Sequence, residues 1–417
     1  MRVSLFTGSF PKTSESWILS EVETLILRNH DVEVYAFSGE DWAAFEWSPA
    51  AQARLNGGGA QQLVTYLDQL GASVPVRLAH RVWAAGGLAR RQPSALGRLL
   101  RERTRGKGGW TLFLPALART LPDRNTRDVL HCHFGLYGEI AATLRASGLA
   151  LPPIVATFHG YDANQCEGKS YRRVFDHARL ITTNTRYTAE RVRRLGADAD
   201  RMRIVPMGTD TARFVPNKEV RHEGDELRIG TVCRLIEAKG THYLVQAFAA
   251  LREHFPRARL CILGEGPRRP YLEQLAAECG VAEQVHFLGR TLTSDVVSFL
   301  QGLDIFVLPS CEVEGWTEGQ GVVVQEAQAC GVPVVATRHG GVPEGMRDGE
   351  TGILVDEHSV EALLQGLRIL AADSELRMRM GAAGRRFVEE HYSLERTMDA
   401  LERVFEEAAQ SPDGVSC

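Results

Sequence analysis

Two carboxylates, Glu318 and Glu326, stand with seven residues between them, and the first opens Glu318-Gly319-Gln320-Gly321. Gly319 and Gly321 carry no side chain, so a diphosphate can come close to main-chain N–H groups there. Like charge keeps the glutamates themselves off phosphate. As acceptor-only groups they suit hydroxyls, such as those of a sugar and a ribose. The pattern points to a nucleotide-sugar site; the plainer alternative is a helix cap with a solvated Glu on either side. Arg234 and Lys239, five positions apart, can reach one anion together, Arg through its planar fork and Lys as a point charge. His159, in Thr157-Phe158-His159-Gly160-Tyr161-Asp162, can move a proton or donate to developing charge near neutral pH, or else serve as a cap or packing residue.

These residues need elements to hold them. The apolar run Ile305 to Leu308 is stopped by Pro309 and Ser310, as in a strand buried on both faces. A helix from about Gly321 to Cys330 ends at Gly331 and Pro333, and Val334 to Ala336 is the next strand. In such a unit the helix amino end, with free N–H groups and the positive dipole end, attracts an anion. Arg234 to Gly240 bridges a strand, Leu227 to Val232, and a helix, Thr241 to Glu253. A strand from Arg259 to Leu263 ends in Gly264-Glu265-Gly266-Pro267, followed by the helix Tyr271 to Cys279 and the strand Val285 to Leu288. In the first half, strands Val3 to Thr7 and Val32 to Phe37 flank a helix from about Glu15 to Leu27. The loop between the first strand and that helix, with Gly8, Ser14 and Glu15, can cradle a phosphate or face a cleft, although Gly-x-Gly-x-x-Gly is absent. Further strands are expected at Val129 to Phe134, Ile154 to Thr157, Leu180 to Thr183 and Met202 to Val205, and a helical tail from Arg385 to about Ala409. Strands alternating with helices predict parallel sheets covered on both sides.

With 417 residues, two domains are the natural expectation. The composition, 44% hydrophobic and 24% charged, is that of a soluble globular protein, and a net charge of −4 points to neither nucleic acid nor membrane. The start is no signal peptide and no run is long enough to span a bilayer, so a cytoplasmic protein is expected. Eight scattered cysteines without Cys-x-x-Cys read as reduced thiols. His131-Cys132-His133 puts two imidazoles on one strand face but has no third ligand nearby in sequence, and Asp198-Ala199-Asp200 reads as a solvated turn. No metal site is expected. From Trp42 to about Asp128 the chain is helix-prone; between Arg77 and Lys107 nine basic residues face the single acid Glu102. A basic amphipathic helix of this kind can lie on an anionic bilayer, or be a solvated face.

The run EGQGVVVQEAQACGVPVVAT, the pair HCHFG and TFHGYD, the loop FPKTSESWI and the turns around Gly340-Gly341 and Asp348-Gly349 resemble family 4 of the retaining glycosyltransferases, also called group 1 glycosyl transferases. The resemblance is to exopolysaccharide and colanic-acid-type members and covers nearly the whole chain, least between Trp42 and Asp128. It implies an α/β protein of GT-B fold, two doubly wound Rossmann-like domains facing across a cleft. The expected layout is an acceptor-side domain at 1–215 with a helical insertion at 42–128, a linker at 216–226, a nucleotide-sugar domain at 227–390, and a C-terminal helix at 391–417 crossing back to the first domain. On the family's pattern His159 and Glu318 are catalytic, with Glu318 addressing the donor sugar. Arg234, Lys239, Gly264, Gly266, Gly319, Gln320, Gly321 and Glu326 bind the donor, Glu326 at the ribose. Gly8, Ser14 and Glu15 border the acceptor. The implied partners are a nucleotide-sugar donor and a saccharide or lipid-linked saccharide acceptor, with retention of configuration, no cofactor and no metal. A nucleotide-sugar epimerase of similar fold, or a silent nucleotide-sugar-binding subunit, are the other classes such a sequence allows.

Overall fold

Short strands, most of them buried on both faces, joined by helices leave one arrangement that buries those faces, a parallel sheet between helical layers, and the chain builds it twice. The computed structural model describes residues 1–40, 42, 45, 47–55, 59–67, 86, 88–90, 92–102, 113–164, 171–217, 226–290 and 293–410. Met1–Thr183, Ala189–Val205 and Met398–Cys417 form one unit, and Asn184–Thr188 and Pro206–Thr397 the other.

The first unit holds seven strands: β1 (Arg2–Ser9), β2 (Asp31–Ser38), β3 (Val64–Tyr66), β4 (Val129–His133), β5 (Ile154–Phe158), β6 (Leu180–Thr183) and β7 (Met202–Ile204). Their order is β3-β2-β1-β4-β5-β6-β7, all parallel. The order reverses between β1 and β4, so the loops after these two strands flank the crevice where open α/β sheets take ligands. The helix Ser16–Leu27 follows β1 and buries Ile18, Glu21, Val22, Leu25 and Ile26, one stripe at helical spacing. The helix Gly135–Ala146 follows β4. The last helix, Leu394–Gln410, buries Met398, Leu401, Val404, Phe405 and Ala408. Its polar side holds Arg28 through Asp399 and Glu402, at 2.7 and 2.9 Å.

The second unit has six strands: β8 (Arg228–Val232), β9 (Arg259–Leu263), β10 (Val285–Gly289), β11 (Ile305–Leu308), β12 (Val334–Thr337) and β13 (Gly352–Val355). They run parallel in the order β10-β9-β8-β11-β12-β13, with the reversal between β8 and β11. Along β11 the side chains alternate between two cores, Ile305 and Val307 in one and Phe306 and Leu308 in the other. The helix Val322–Ala329 starts after Gly321 and ends with Gly331 N–H donating to Gln328 O and Val332 N–H to Ala327 O, at 2.9 and 3.0 Å.

Two strands were not anticipated. β3 is three residues at a sheet edge, too short for a period to register, and β13 follows a turn-rich run that masks it. The helical tail expected from Arg385 takes in the end of one helix, Ser374–His391, and a second, Leu394–Gln410. The break lies where Thr209 bridges the chain, its N–H donating to Tyr392 O and its carbonyl accepting from Leu394 N–H, both 2.8 Å. Residues from Pro206 belong to the second unit, before the boundary anticipated after 215. Arg385 holds this segment through the carbonyls of Thr211 and Phe214. Most of the anticipated linker and of the basic stretch from Arg77 to Lys107, including Arg77, Arg81, Arg91, Arg103, Arg105 and Lys107, lies outside the described residues.

Candidate active site

In the second unit Arg234 and Lys239 lie on the loop after β8, Glu318 to Gly321 on the loop after β11, Gly264 and Gly266 after β9, and Glu326 in the helix that follows Gly321. Lys239 ends a short turn, Glu237–Lys239, and its ammonium pairs with Glu318. Glu318 Oε2 also accepts from Ser310 Oγ at 3.0 Å, and Lys239 Nζ lies 5.1 Å from the centre of the Trp316 ring. Cys311 N–H donates to Ala238 O at 2.9 Å and Gly341 N–H to Glu318 O at 3.0 Å, so main-chain bonds tie the cation's turn to the carboxylate's loop. Beside them His339 Nδ1 is 2.9 Å from Glu357 Oε2 and its ring stacks on Trp316. Arg234 is exposed and makes no ion pair among the described residues.

The helix Val322–Ala329 opens at Gly321 with no side-chain cap, which leaves its first N–H groups for a ligand. Glu326 is half-buried in this helix and its carboxylate takes no hydrogen bond among the described residues. Burial pushes it up to about 7, against a weaker opposing pull from Arg213. Gln320 is buried and its amide is engaged with Met207, accepting from the N–H at 2.8 Å and donating to the carbonyl at 2.9 Å. It therefore fixes the Met207 segment. A Cβ on Gly264 would meet Cys233 O at 1.8 Å and one on Gly266 Leu235 O at 2.4 Å, so these glycines seat the loop carrying Arg234.

In the first unit His159 follows β5. Its N–H donates to Asp162 Oδ1 at 2.9 Å, and Asp162 Oδ2 accepts from Gly135 N–H at 2.7 Å, which locks the loop after β5 to the helix after β4. Burial raises the Asp162 carboxyl to about 6 despite these bonds. His159 Nε2 is 3.2 Å from His133 Nδ1, and its ring packs against Trp17 and Phe134. Burial, reinforced by neighbouring His133 and His131, holds the imidazole well below its ordinary range, so it is neutral at pH 7. Gly8 and Glu15 line a cavity of about 390 Å³ together with Lys12, Tyr137, Tyr161 and Asp162. Lys12 pairs with Glu15. Ser14, in the turn Thr13–Glu15, is not among its lining residues.

The structure also brings in groups that sequence reading passed over. Ser310 and Trp316 contact the Lys239–Glu318 pair. Glu21 supplies the third group that His131 and His133 lacked in sequence; among the described residues these three form the one cluster of potential metal ligands, their ligand atoms within 4.8 Å of one another. A signal for Glu21 was present: it sits on the apolar stripe of its helix, with Ile18, Val22 and Leu25, where a carboxylate needs a partner. Asp198 accepts from Asp200 N–H at 3.0 Å within an exposed turn.

Residues 14–213 match the family model "Glycosyltransferase Family 4", and residues 216–387 match "Glycosyl transferases group 1". The colanic acid biosynthesis glycosyltransferase WcaL of Escherichia coli (strain K12) is 30% identical over 383 residues, 90% of this chain and 91% of that one. A GDP-mannose-dependent alpha-(1-6)-phosphatidylinositol monomannoside mannosyltransferase of Mycolicibacterium smegmatis is 35% identical over 246 residues, 56% of this chain and 64% of that one. Anabaena HepE, solved with UDP and glucose, superposes with a TM-score of 0.72 at 16% identity, covering 97% of this chain and all of that one. Two reversing parallel sheets, cations and carboxylates at one switch point, and matches along nearly the whole length agree: this chain belongs to glycosyltransferase family 4, the group 1 glycosyl transferases, and is a glycosyltransferase of GT-B fold.

Proposed function

We propose that the chain transfers a sugar from a nucleotide-sugar donor to a saccharide or lipid-linked saccharide acceptor, with retention of configuration, in building an exopolysaccharide or related glycoconjugate. The observation that carries this reading is the joint seat of Lys239, Glu318 and the uncapped helix end at Gly321 on the switch-point loops of the second unit. Lys239 has three N–H donors and spends one on Glu318, so two remain for phosphate oxygens. With Arg234 and the helix N–H groups it stabilises the leaving diphosphate, the largest electrostatic contribution such a site can make. Glu326 takes the ribose hydroxyls, Glu318 the donor sugar, and neutral His159 meets the reacting centre. Gly8, Glu15 and their cavity serve the acceptor. Retention follows the family's pattern; WcaL is named for colanic acid biosynthesis, the mannosyltransferase for GDP-mannose and a phosphatidylinositol monomannoside, and HepE was solved with UDP and glucose, which supports a nucleotide-sugar donor and a saccharide or lipid-linked acceptor.

The reaction on this reading runs on the chain's own cations without a divalent metal, and transfer survives a chelator. It takes place in the cytoplasm, and at the inner face of the membrane if the acceptor is lipid-linked. No helix among the described residues is long and apolar enough to cross a membrane. The test is a thermal-shift panel of UDP-glucose, GDP-mannose and other nucleotide sugars, since a ligand that binds the folded state raises its apparent stability. One of them should raise the midpoint and, with an added glycan acceptor, release nucleoside diphosphate. A panel with no shift, or a donor bound with no transfer to any acceptor, overturns the reading.

A further inference from the structure

Behind His159 lies a buried polar chain that no packing requirement explains. Glu21, 8% exposed, reaches across from its helix to β4, where His131 and His133 are each 1% exposed. Its Oε1 is hydrogen-bonded to His131 Nδ1 at 2.8 Å and faces His133 Nε2 at 3.5 Å, an ion-pair distance longer than a hydrogen bond, so that this buried nitrogen has the carboxylate as its electrostatic neighbour and no hydrogen-bond partner among the described residues. The far nitrogen of each imidazole is also engaged: His131 Nε2 with Thr157 Oγ1 at 2.7 Å, and His133 Nδ1 with His159 Nε2 at 3.2 Å. The rings of His133 and His159 stack at 17°, and Phe405 closes over His131. A carboxylate in such a place is costly unless its partners are donors.

We propose that Glu21 and His133 are positioning residues for His159, a carboxylate–imidazole–imidazole chain that sets its tautomer and the plane of its ring. This rests on the reading of His159 as the group at the reacting centre. Polarity fixes the direction of the chain. With Glu21 ionised, the His133 nitrogen facing it carries the proton, because a bare lone pair there would oppose the carboxylate. His133 Nδ1 is then an acceptor, His159 Nε2 is the donor to it, and the lone pair of His159 stands on Nδ1. His131 donates to the same carboxylate and accepts from Thr157, which keeps Glu21 in place. Burial works to raise the Glu21 carboxyl, and the two imidazoles outweigh it, holding it below the ordinary range. Protons suit this cluster better than a metal ion does. The 2.8 Å between Glu21 and His131 is a hydrogen-bond length, whereas ligands of a tetrahedral ion with bonds of about 2.0–2.1 Å stand about 3.3 Å apart.

The test uses the full chain labelled with 15N-histidine, His159 being assigned by the signals lost in His159→Gln. In the wild type His159 should be the Nε2–H tautomer, and Glu21→Gln or His133→Gln should shift or mix it. Release of UDP or GDP from UDP-glucose or GDP-mannose, whichever the panel selects, supplies a second readout. Glu21→Gln should lower kcat about tenfold or more with KM within about threefold, and should cost nothing further in the His159→Gln background. A wild-type Nδ1–H tautomer, or a tautomer and rate unchanged in both variants while His159→Gln is inactive, overturns this proposal alone. Full turnover in His159→Gln removes instead the reading of His159 on which it rests. One equivalent of bound metal in the purified protein overturns it as well, and the wild-type tautomer decides if Glu21→Gln does not fold.

Discussion

Lys239 and Glu318 neutralise each other at a half-buried position, and that pairing decides what either can do. Removing the ammonium leaves a carboxylate with Ser310 alone and deprives a leaving diphosphate of a charge partner. Lys239→Ala should therefore lower turnover by about 10²–10³, or ~2.7–4 kcal/mol, at saturating donor, with the unfolding midpoint near wild type. Glu326 has a different lever. Its carboxyl stands at about 7 in the folded chain against an ordinary 4.5, so folding takes up a proton between those values. Stability from this group is full below the lower value, falls as pH rises through the window and is lost above about 7. Glu326→Gln removes that slope, so its stability relative to wild type should climb from pH 4.5 to about 7 and then level off, as urea unfolding at a series of pH values would show. If Glu326 holds the ribose as its ionised form, free UDP or GDP should bind the wild type better as pH rises through 7, and Glu326→Gln should flatten that difference in calorimetry.

The elements that matter most for the site are the turns where strands hand over to helices. Gly240 closes the turn that carries Lys239, at φ +62°, and a Cβ there would stand 1.9 Å from Pro309 O. That carbonyl belongs to the loop after β11, so the two loops meet backbone to backbone and only the absent side chain lets them. Gly240→Ala should cost more than about 2 kcal/mol, combining the left-handed penalty of roughly 1–2 with the clash, and should weaken nucleotide binding because the Lys239 turn must move. Gly280 has φ +71° and nothing within 4 Å of its Cβ position, so Gly280→Ala should cost about 1 kcal/mol and leave binding unchanged. Comparing the two midpoints in denaturant separates backbone strain from loop contact. Equal losses would mean that the contact with Pro309 carries no weight.

Across the whole chain, the first unit is completed by the far end of the sequence. Phe405, fully buried, sits 5.1 Å from the His131 ring, and the helix that carries it also binds Arg28, His30 and Arg203 through Glu402 and Glu407. Phe405→Ala should destabilise the first unit by about 3–5 kcal/mol, read as an earlier transition in urea. Leu288→Ala, at a side chain 51% exposed, should stay within about 0.5 kcal/mol of wild type. The last helix is thus a packed part of the first unit, and shortening the chain before Met398 should leave the residues around His131 uncovered.

Much of this was open to a reader of the sequence, for a local reason. Runs such as Ile305 to Leu308 are apolar at every position because a parallel strand is buried on both sides, and the stops at Pro309 and Gly331 act within one or two residues. The alternation of such runs with helical ones carried the two parallel sheets, and the loops after β1, β5, β8 and β11 could be picked out as the carriers of chemistry. What remained hidden depends on distance along the chain. β3 is three residues that form a strand because β2 offers them a ladder. The engagement of Gln320 with Met207 joins residues 113 positions apart, and no period or turn signal records it. Glu21 was visible as a carboxylate on an apolar stripe, yet its partners His131 and His133 are set by where the helix after β1 lies against β4. Local pattern dictates elements because its causes act over a few residues. The partner of a buried charge is decided only when the sheet brings distant strands and helices together.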